Sequence, residues 1–424
     1  MTAEIAIVNR SAIAVAADSA VTVGRDKVHV SANKIFSISE ASPIGCMIYG
    51  TADFANIPWE TIIKIFRNEH SHKTFLTVNE CRLNFYSFLS GPRFITDKTT
   101  TTSFVLFVVS LIEPLKDKLS NIPPRERTHH FEKIIQSGTN QFINHPKSIN
   151  CNLPSEKDFL STSKQNIRTI TNEVFSEINY RYPTKLDKLL TSMIYAAFSS
   201  EYVSNYQTGI VFFGFGKDEL LPVLTRDELD GAPFGTLRIK EDSESNDNDE
   251  NLPATIYPFA DIEIMTSFME GATKNMQAMF RSILYNTNSE IARRVIEENF
   301  SLSNEDLTLI HSMNRKTIEN IVDEAMAALD QQIHERSVGP VMRAVASLPK
   351  EEMARLAEAL VEVTALKKKV SPTVESVGGP IDVCVVTKGD GFIWIKRKHY
   401  FDLNKNLQYM SYRNLNPLLP KAAS

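Results

Sequence analysis

Apolar residues follow two rhythms along this chain. In the first they are nearly continuous over short runs, as in Glu4-Ile-Ala-Ile-Val8 and Ala12-Ile-Ala-Val-Ala-Ala17. Such runs predict strands buried on both faces. Asn9-Arg10-Ser11 between them is a turn-forming trio. Further strands are predicted over 34–39 and 44–49, at Gly209–Gly216, at Leu220–Leu224 and over 254–264. The chain closes with a hairpin, Ile381–Lys388 and Phe392–Lys396, around Gly389-Asp390-Gly391. Asp-Gly there supplies the positive φ of a tight turn.

The second rhythm has a helical period. Ile57, Ile62, Ile65 and Phe66 predict a helix from just after Gly50 to about Asn68. Residues 75–200 and 265–370 are predicted to be mostly helical, with breaks at Pro123-Pro124 and His145-Pro146. In the last helix Met353, Leu356, Leu360 and Val363 share one face. Ser347 is its expected cap, Pro349 falls in its first turn, and Lys367-Lys368-Lys369 suits the negative end of the dipole. The acidic stretch 241–250 reads as a solvated loop. Runs of strands separated by runs of helices predict stacked sheets with helices outside, an α/β (α+β) fold.

Composition narrows the function classes. A net charge of −5 spread over 424 residues gives no reason to expect nucleic acid or an anionic membrane. Cys46, Cys81, Cys151 and Cys384 form no C-x-x-C pair, which argues against structural zinc and fits a reducing compartment. The longest apolar run, Phe104 to Ile112, is too short for a span of about 20 residues and reads as a buried helix. No basic start followed by an apolar core marks a signal peptide. The expected location is therefore cytoplasmic. There is no G-x-x-x-x-G-K-[ST] loop, and His334-Glu335 lacks the second histidine of a zinc-protease motif.

The chemistry lies near the N-terminus. Thr2 follows the initiator Met, Asp18 ends the second predicted strand sixteen residues later, and Lys34 opens the third sixteen further on. A hairpin of the first two strands brings Asp18 to the chain start. Once Met1 is removed, the α-amine of Thr2 can serve as base for its own hydroxyl. That amine has an ordinary pKa near 7.7–8.0, and a lysine cation beside it disfavours its protonation. Asp18 would hold the lysine. Gly45-Cys-Met-Ile-Tyr-Gly-Thr-Ala-Asp53 can expose a backbone N–H to an oxyanion, at Tyr49 or Gly50.

These residues resemble the start of proteasome β subunits, which are N-terminal-nucleophile (Ntn) hydrolases, and of their bacterial relatives, the ATPase-dependent two-component protease subunit and the ancestral-type proteasome-like proteins. Ala16-Ala17-Asp18-Ser19, Thr22, Gly24 and Gly45-x-Met-x-x-Gly-Thr-Ala-Asp53 match the family pattern, and Lys34 falls at its catalytic lysine. Tyr49 stands where the family usually has the glycine whose N–H serves the oxyanion. Ser376-Val-Gly-Gly-Pro-Ile-Asp-Val383 resembles the closing Ser-Gly-Gly, with Ser376 or Val377 at the supporting serine. Ser267 is the nearest candidate for the middle serine motif. The resemblance covers roughly the first 70 and last 40 residues, with Gly209–Gly216 as a middle strand.

The resemblance implies a four-layer αββα sandwich over residues 1–400, with helical insertions at about 75–200 and 270–370 and a tail at 401–424. It implies catalysis by Thr2, Asp18, Lys34 and Ser376, an oxyanion donor at Tyr49, and no metal or organic cofactor. Substrate would meet Val21, Thr22, Ala32, Met47 and Thr51. Val21, Ala32, Met47 and Thr51 are small or apolar, so an apolar side chain is expected before the scissile bond. The implied partners are a peptide or protein substrate, other copies of the chain, and a separate ATPase unfoldase or activator. Two alternatives stay open: an amidase acting on a non-peptide amide, and a non-catalytic scaffold or regulatory ring subunit.

Overall fold

In the computed structural model, residues 3–23, 27–29, 31–144, 149, 151–241, 254–260, 262–299, 304–370, 378–399, 401 and 405 are described. The strands are β1 (Ala3–Asn9), β2 (Ala12–Ala17), β3 (Val21–Val23), β4 (Lys27–His29), β5 (Ile35–Ser37), β6 (Ile44–Gly50), β7 (Asp53–Phe54), β8 (Ile57–Pro58), β9 (Thr208–Gly214), β10 (Val223–Leu229), β11 (Ile239–Glu241), β12 (Ala254–Ala260), β13 (Asp382–Thr387) and β14 (Gly391–Lys396). The helices are α1 (Trp59–Glu69), α2 (Val78–Leu89), α3 (Asp97–Ser120), α4 (Arg127–Ile143), α5 (Glu156–Thr162), α6 (Lys164–Ser176), α7 (Asp187–Ser199), α8 (Ile262–Glu270), α9 (Lys274–Asn299), α10 (Asn304–Ile333), α11 (Gly339–Ala346) and α12 (Lys350–Val370). No helix among the described residues is long and apolar enough to cross a membrane.

The continuous apolar strands build two antiparallel five-stranded sheets, ordered β12-β1-β2-β13-β14 and β11-β10-β9-β6-β5. Strand alternation sends successive side chains to opposite faces. Ala6 and Val8, with Val15, Ala17, Met47, Tyr49, Val211 and Phe213, form one core drawn from both sheets. From the other face of β6 and β9, Cys46, Ile48, Ile210 and Phe212 pack on Trp59, Ile62, Phe66 and Phe85 of α1 and α2. On the first sheet Ile5, Ile7, Ala14 and Val383 pack on Met353, Ala357, Leu360 and Val361 of α12. Full burial of each large apolar side chain contributes roughly 1.5–3 kcal/mol. The alanines of β2 and α12 let helix and sheet approach closely. A separate core, centred on Phe107, Phe131, Phe159 and Phe198, holds α3 to α7 together.

Several boundaries differ from expectation for local reasons. Gly50 has φ +81°, and the β7–β8 hairpin turns through Ala55 and Asn56 at positive φ. That irregular stretch delays α1 to Trp59. Leu220 is 86% exposed, and the strand expected there begins at Val223. The strand expected over 254–264 ends at Ala260, with α8 starting at Ile262. Pro258 is tolerated because β12 is an edge strand. Ser347 closes α11 instead of capping α12, and Pro349 precedes α12. Phe104–Ile112 lies within α3 and the closing hairpin forms as β13–β14. Most of the acidic stretch, 242–250, and His145-Pro146 lie outside the described residues.

Candidate active site

Three strand ends converge at one edge of the layer between the sheets. Glu4 is the second residue of β1, Asp18 follows β2 and Lys34 precedes β5. They are 1%, 1% and 4% exposed. Glu4 shares the strand face of Ala6 and Val8, so its carboxylate points into an apolar layer, where a charge needs a partner. Lys34 Nζ supplies one, 3.0 Å from Glu4 Oε1, and also donates to Asp18 Oδ1.

Asp18 is held on all sides. Its Oδ1 also accepts the backbone N–H of Ala3 at 3.1 Å, and its Oδ2 accepts those of Ala20 at 3.3 Å and Gly378 at 2.8 Å. The Ser19 N–H donates to Gly378 O at 3.2 Å, and the Ser19 hydroxyl donates to Pro380 O. The C-terminal segment is thus tied to the loop after β2, beside the first residues of β1. Glu4 was missed in the sequence reading. Its signal was there: a single acid inside a run otherwise buried on both faces.

The backbone donors follow from register. Phe215 N–H donates to Pro43 O and Thr51 N–H to Gln207 O, at 3.0 and 3.1 Å, and both pairs lie in the β6–β9 register. Hydrogen-bonded pairs alternate along an antiparallel ladder, so Gly45, Met47 and Tyr49 direct their N–H groups at β9. Ile48, facing the other way, donates to Lys34 O at 2.9 Å. Gly50 faces that way too and lies past the end of β5. Of the two residues expected to offer an N–H, Tyr49 thus directs its own at β9 and Gly50 directs its own away from β9. A side chain at Gly50 would meet Gln207 O at 2.6 Å, so close approach and positive φ both require glycine.

The Tyr49 ring turns into the inter-sheet layer. It lies across Gly209, where a Cβ would come within 1.8 Å of it. Its hydroxyl accepts from Arg226 Nε at 2.7 Å. Met47 is wholly buried, in the wall of the layer. Val21 and Ala32 are half-buried, and Ala32 N–H donates to Ser19 O. Thr51 donates to Tyr206 O at 2.8 Å and lines a small cleft with Asp53, Trp59, Ser204 and Tyr206. Glu4, Asp18 and Lys34 do not line that cleft. Ser267 lies in α8. Thr2, Ser376 and the side chain of Thr22 lie outside the described residues.

No protein-family model and no curated protein matches the chain. Among solved structures it is similar to the Anbu (Gly-1) mutant from Hyphomicrobium sp. strain MC1, at 11% identity and a TM-score of 0.30 over 100% of this chain and 99% of that one. It is similar also to a helical assembly of the Anbu complex from Pseudomonas aeruginosa, at 10% identity and a TM-score of 0.25 over 99% and 98% of the two chains. For Anbu (ancestral beta-subunit) from Yersinia bercovieri the values are 11%, 0.26, and 100% and 99%. The resemblance to proteasome β-type subunits is corrected on these findings. The structures matched are Anbu proteins, the likeness is too low to carry an argument, and no family model supports the assignment.

Proposed function

We propose that this chain is an amide hydrolase whose nucleophile is Thr2, exposed by removal of Met1. One observation carries the reading: the Ala3 N–H and the Lys34 ammonium share a single oxygen of buried Asp18. Ala3 is one peptide bond from Thr2, and consecutive Cα atoms are about 3.8 Å apart. Ala3, the residue after Thr2, is therefore tethered beside the lysine that the proposed chemistry needs.

The α-amine of Thr2 takes the proton of the Thr2 hydroxyl as the oxygen attacks the substrate carbonyl carbon. The Gly50 N–H donates to the oxyanion that forms. The carbon–nitrogen bond then breaks, the proton passes from the ammonium to the leaving amine, and an ester remains on Thr2. Water attacks the ester and gives its proton to the amine. Release of the acid returns a proton to the hydroxyl. Asp18 fixes Lys34, and Gly378 supports Asp18. Ser376 is assigned to the same C-terminal support.

On this reading the substrate is a peptide with an apolar residue before the scissile bond. The working form is a cytoplasmic homo-oligomer, and unfolding of protein substrates falls to a separate ATPase. The sequence of cores, from α1 and α2 through two sheets to α11 and α12, supports a four-layer αββα arrangement over residues 1–400. Of the stretches 75–200 and 270–370 expected to be insertions, α3 to α7 and α9 and α10 are then the inserted part, while α2, α11 and α12 belong to the layers. The test is hydrolysis of a panel of fluorogenic peptide amides by protein beginning at Thr2. Wild type should cleave the apolar members, and Thr2→Ala should cleave none. Equal rates for the two would refute the reading.

A further inference from the structure

The sequence groups Met353, Leu356, Leu360 and Val363 on one apolar face, and α12 divides them. Met353 and Leu360 are buried against the first sheet and Leu356 is half-buried at the edge of that core. Val363 is 52% exposed, Leu366 63% and Val370 77%. Scattered exposed apolar side chains are ordinary, but a row of them along one helix marks an interaction surface. Leu356, Ala359, Val363, Leu366 and Val370 follow one another at intervals of three, four, three and four residues. This is a heptad, with Leu356, Val363 and Val370 at its first position and Ala359 and Leu366 at its fourth. A mean spacing of 3.5 residues keeps such a row facing a second helix.

We infer that the second helix is α12 of another copy of this chain, packed in parallel around a two-fold axis. Valine at the first heptad position with leucine at the fourth, as at Val363, Leu366 and Val370, favours two parallel strands. In that arrangement the seventh position of one helix meets the fifth position of the next heptad in its partner. Those residues are Glu362 and Lys367, of opposite sign, so α12 complements a copy of itself twice over. Lys367 also interacts within its own chain, and its exposed ammonium has three donors to share. The seam is short, about 22 Å at 1.5 Å per residue. Two heptads rarely hold free helices together. Here the helix is already formed on the sheet, so association does not bear the cost of nucleating it. The contact gives the homo-oligomer proposed above its interface and rests on that part of the reading, not on the Thr2 chemistry.

The test is the mass of the full chain in solution, by analytical ultracentrifugation over a dilution series. Wild type should sediment as a dimer or a multiple of one. In Val363→Glu two unpaired carboxylates would enter the apolar seam, so association should weaken by about a hundredfold and the mass should halve. Val363 is exposed in the single chain, so the variant should keep its fold, which circular dichroism checks. Leu366→Cys reads the arrangement. The four native cysteines are buried, so glutathione disulfide should oxidise only the new thiols. They should join as a disulfide between copies, which needs their Cα atoms within about 7 Å. A wild type that stays monomeric would overturn the proposal together with the homo-oligomer. An oligomer that folded Val363→Glu leaves intact would overturn the proposal alone, as would the absence of a covalent dimer in Leu366→Cys. Hydrolysis enters none of these readouts, so the fate of the Thr2 nucleophile is separate.

Discussion

Two buried cations set the helical part of this molecule against its candidate site. Arg238 is fully buried and pairs with Asp230 at 2.9 Å. It also donates to Ser200 O at 2.9 Å and Tyr202 O at 2.8 Å, while Asp230 accepts the Ser204 N–H at 3.1 Å. That pair is balanced one to one, and it ties the end of α7 to the sheet. Lys34 is equally hidden but faces two carboxylates, at an edge where the chain begins. A balanced, well-bonded pair is what structure requires. Lys34 instead draws three strand ends together through two carboxylates, and it is there that we propose the chemistry.

The comparison breaks most sharply at Arg238. Arg238→Met leaves Asp230 buried without its cation, so stability should fall by about 3–5 kcal/mol. Urea unfolding measures this, with hydrolysis per folded molecule little changed. Burial already raises the pKa of Asp230. A carboxyl whose folded pKa is raised favours the folded state in its protonated form and loses that contribution as pH rises. The deficit of Arg238→Met should therefore shrink as pH is lowered toward about 4, the ordinary range of aspartate. A deficit independent of pH would mean that Asp230 is not what is left uncompensated.

Lys34→Ala should have the complementary effect. Loss of a positioned group in proton-transfer chemistry costs about a hundredfold or more in kcat/KM. A rate within threefold of wild type would remove Lys34 from the mechanism. Gly209→Ala should be milder, at about 1–3 kcal/mol, because the new methyl group meets the Tyr49 ring. Tyr49→Ala in the same background should relieve that clash. The smallest effect concerns the thiols. Burial raises the pKa of all four cysteines, which depletes the reactive thiolate near pH 8. Native protein should leave a thiol reagent untouched without losing activity, and four thiols should appear on unfolding.

Much of the site's frame was legible because it is local. The apolar runs of β1 and β2 and their short turn determine a hairpin, and the hairpin brings Asp18 to the chain start. Lys34 followed from spacing along the next strands. The rest depends on partners distant in sequence. Whether Tyr49 or Gly50 presents its N–H is a question of register with β9, some 160 residues away. The anchoring of Asp18 by Gly378 comes from the opposite end of the chain. Glu4 went unread because an acid near a strand start is ordinary until its face is known. The β3–β4 hairpin was missed because each strand has three residues, too few for a pattern. The resemblance to proteasome β subunits rested on short motifs, and these did not extend to a family match.

The central claim is that Thr2 carries the nucleophile. Its most direct test is the intact mass of the purified protein, before and after a peptide epoxyketone, a reagent that needs a hydroxyl and a free α-amine on one residue. The account predicts loss of Met1 and a single adduct that disappears in Thr2→Ala. Retention of Met1, or an adduct that persists in Thr2→Ala, would contradict it.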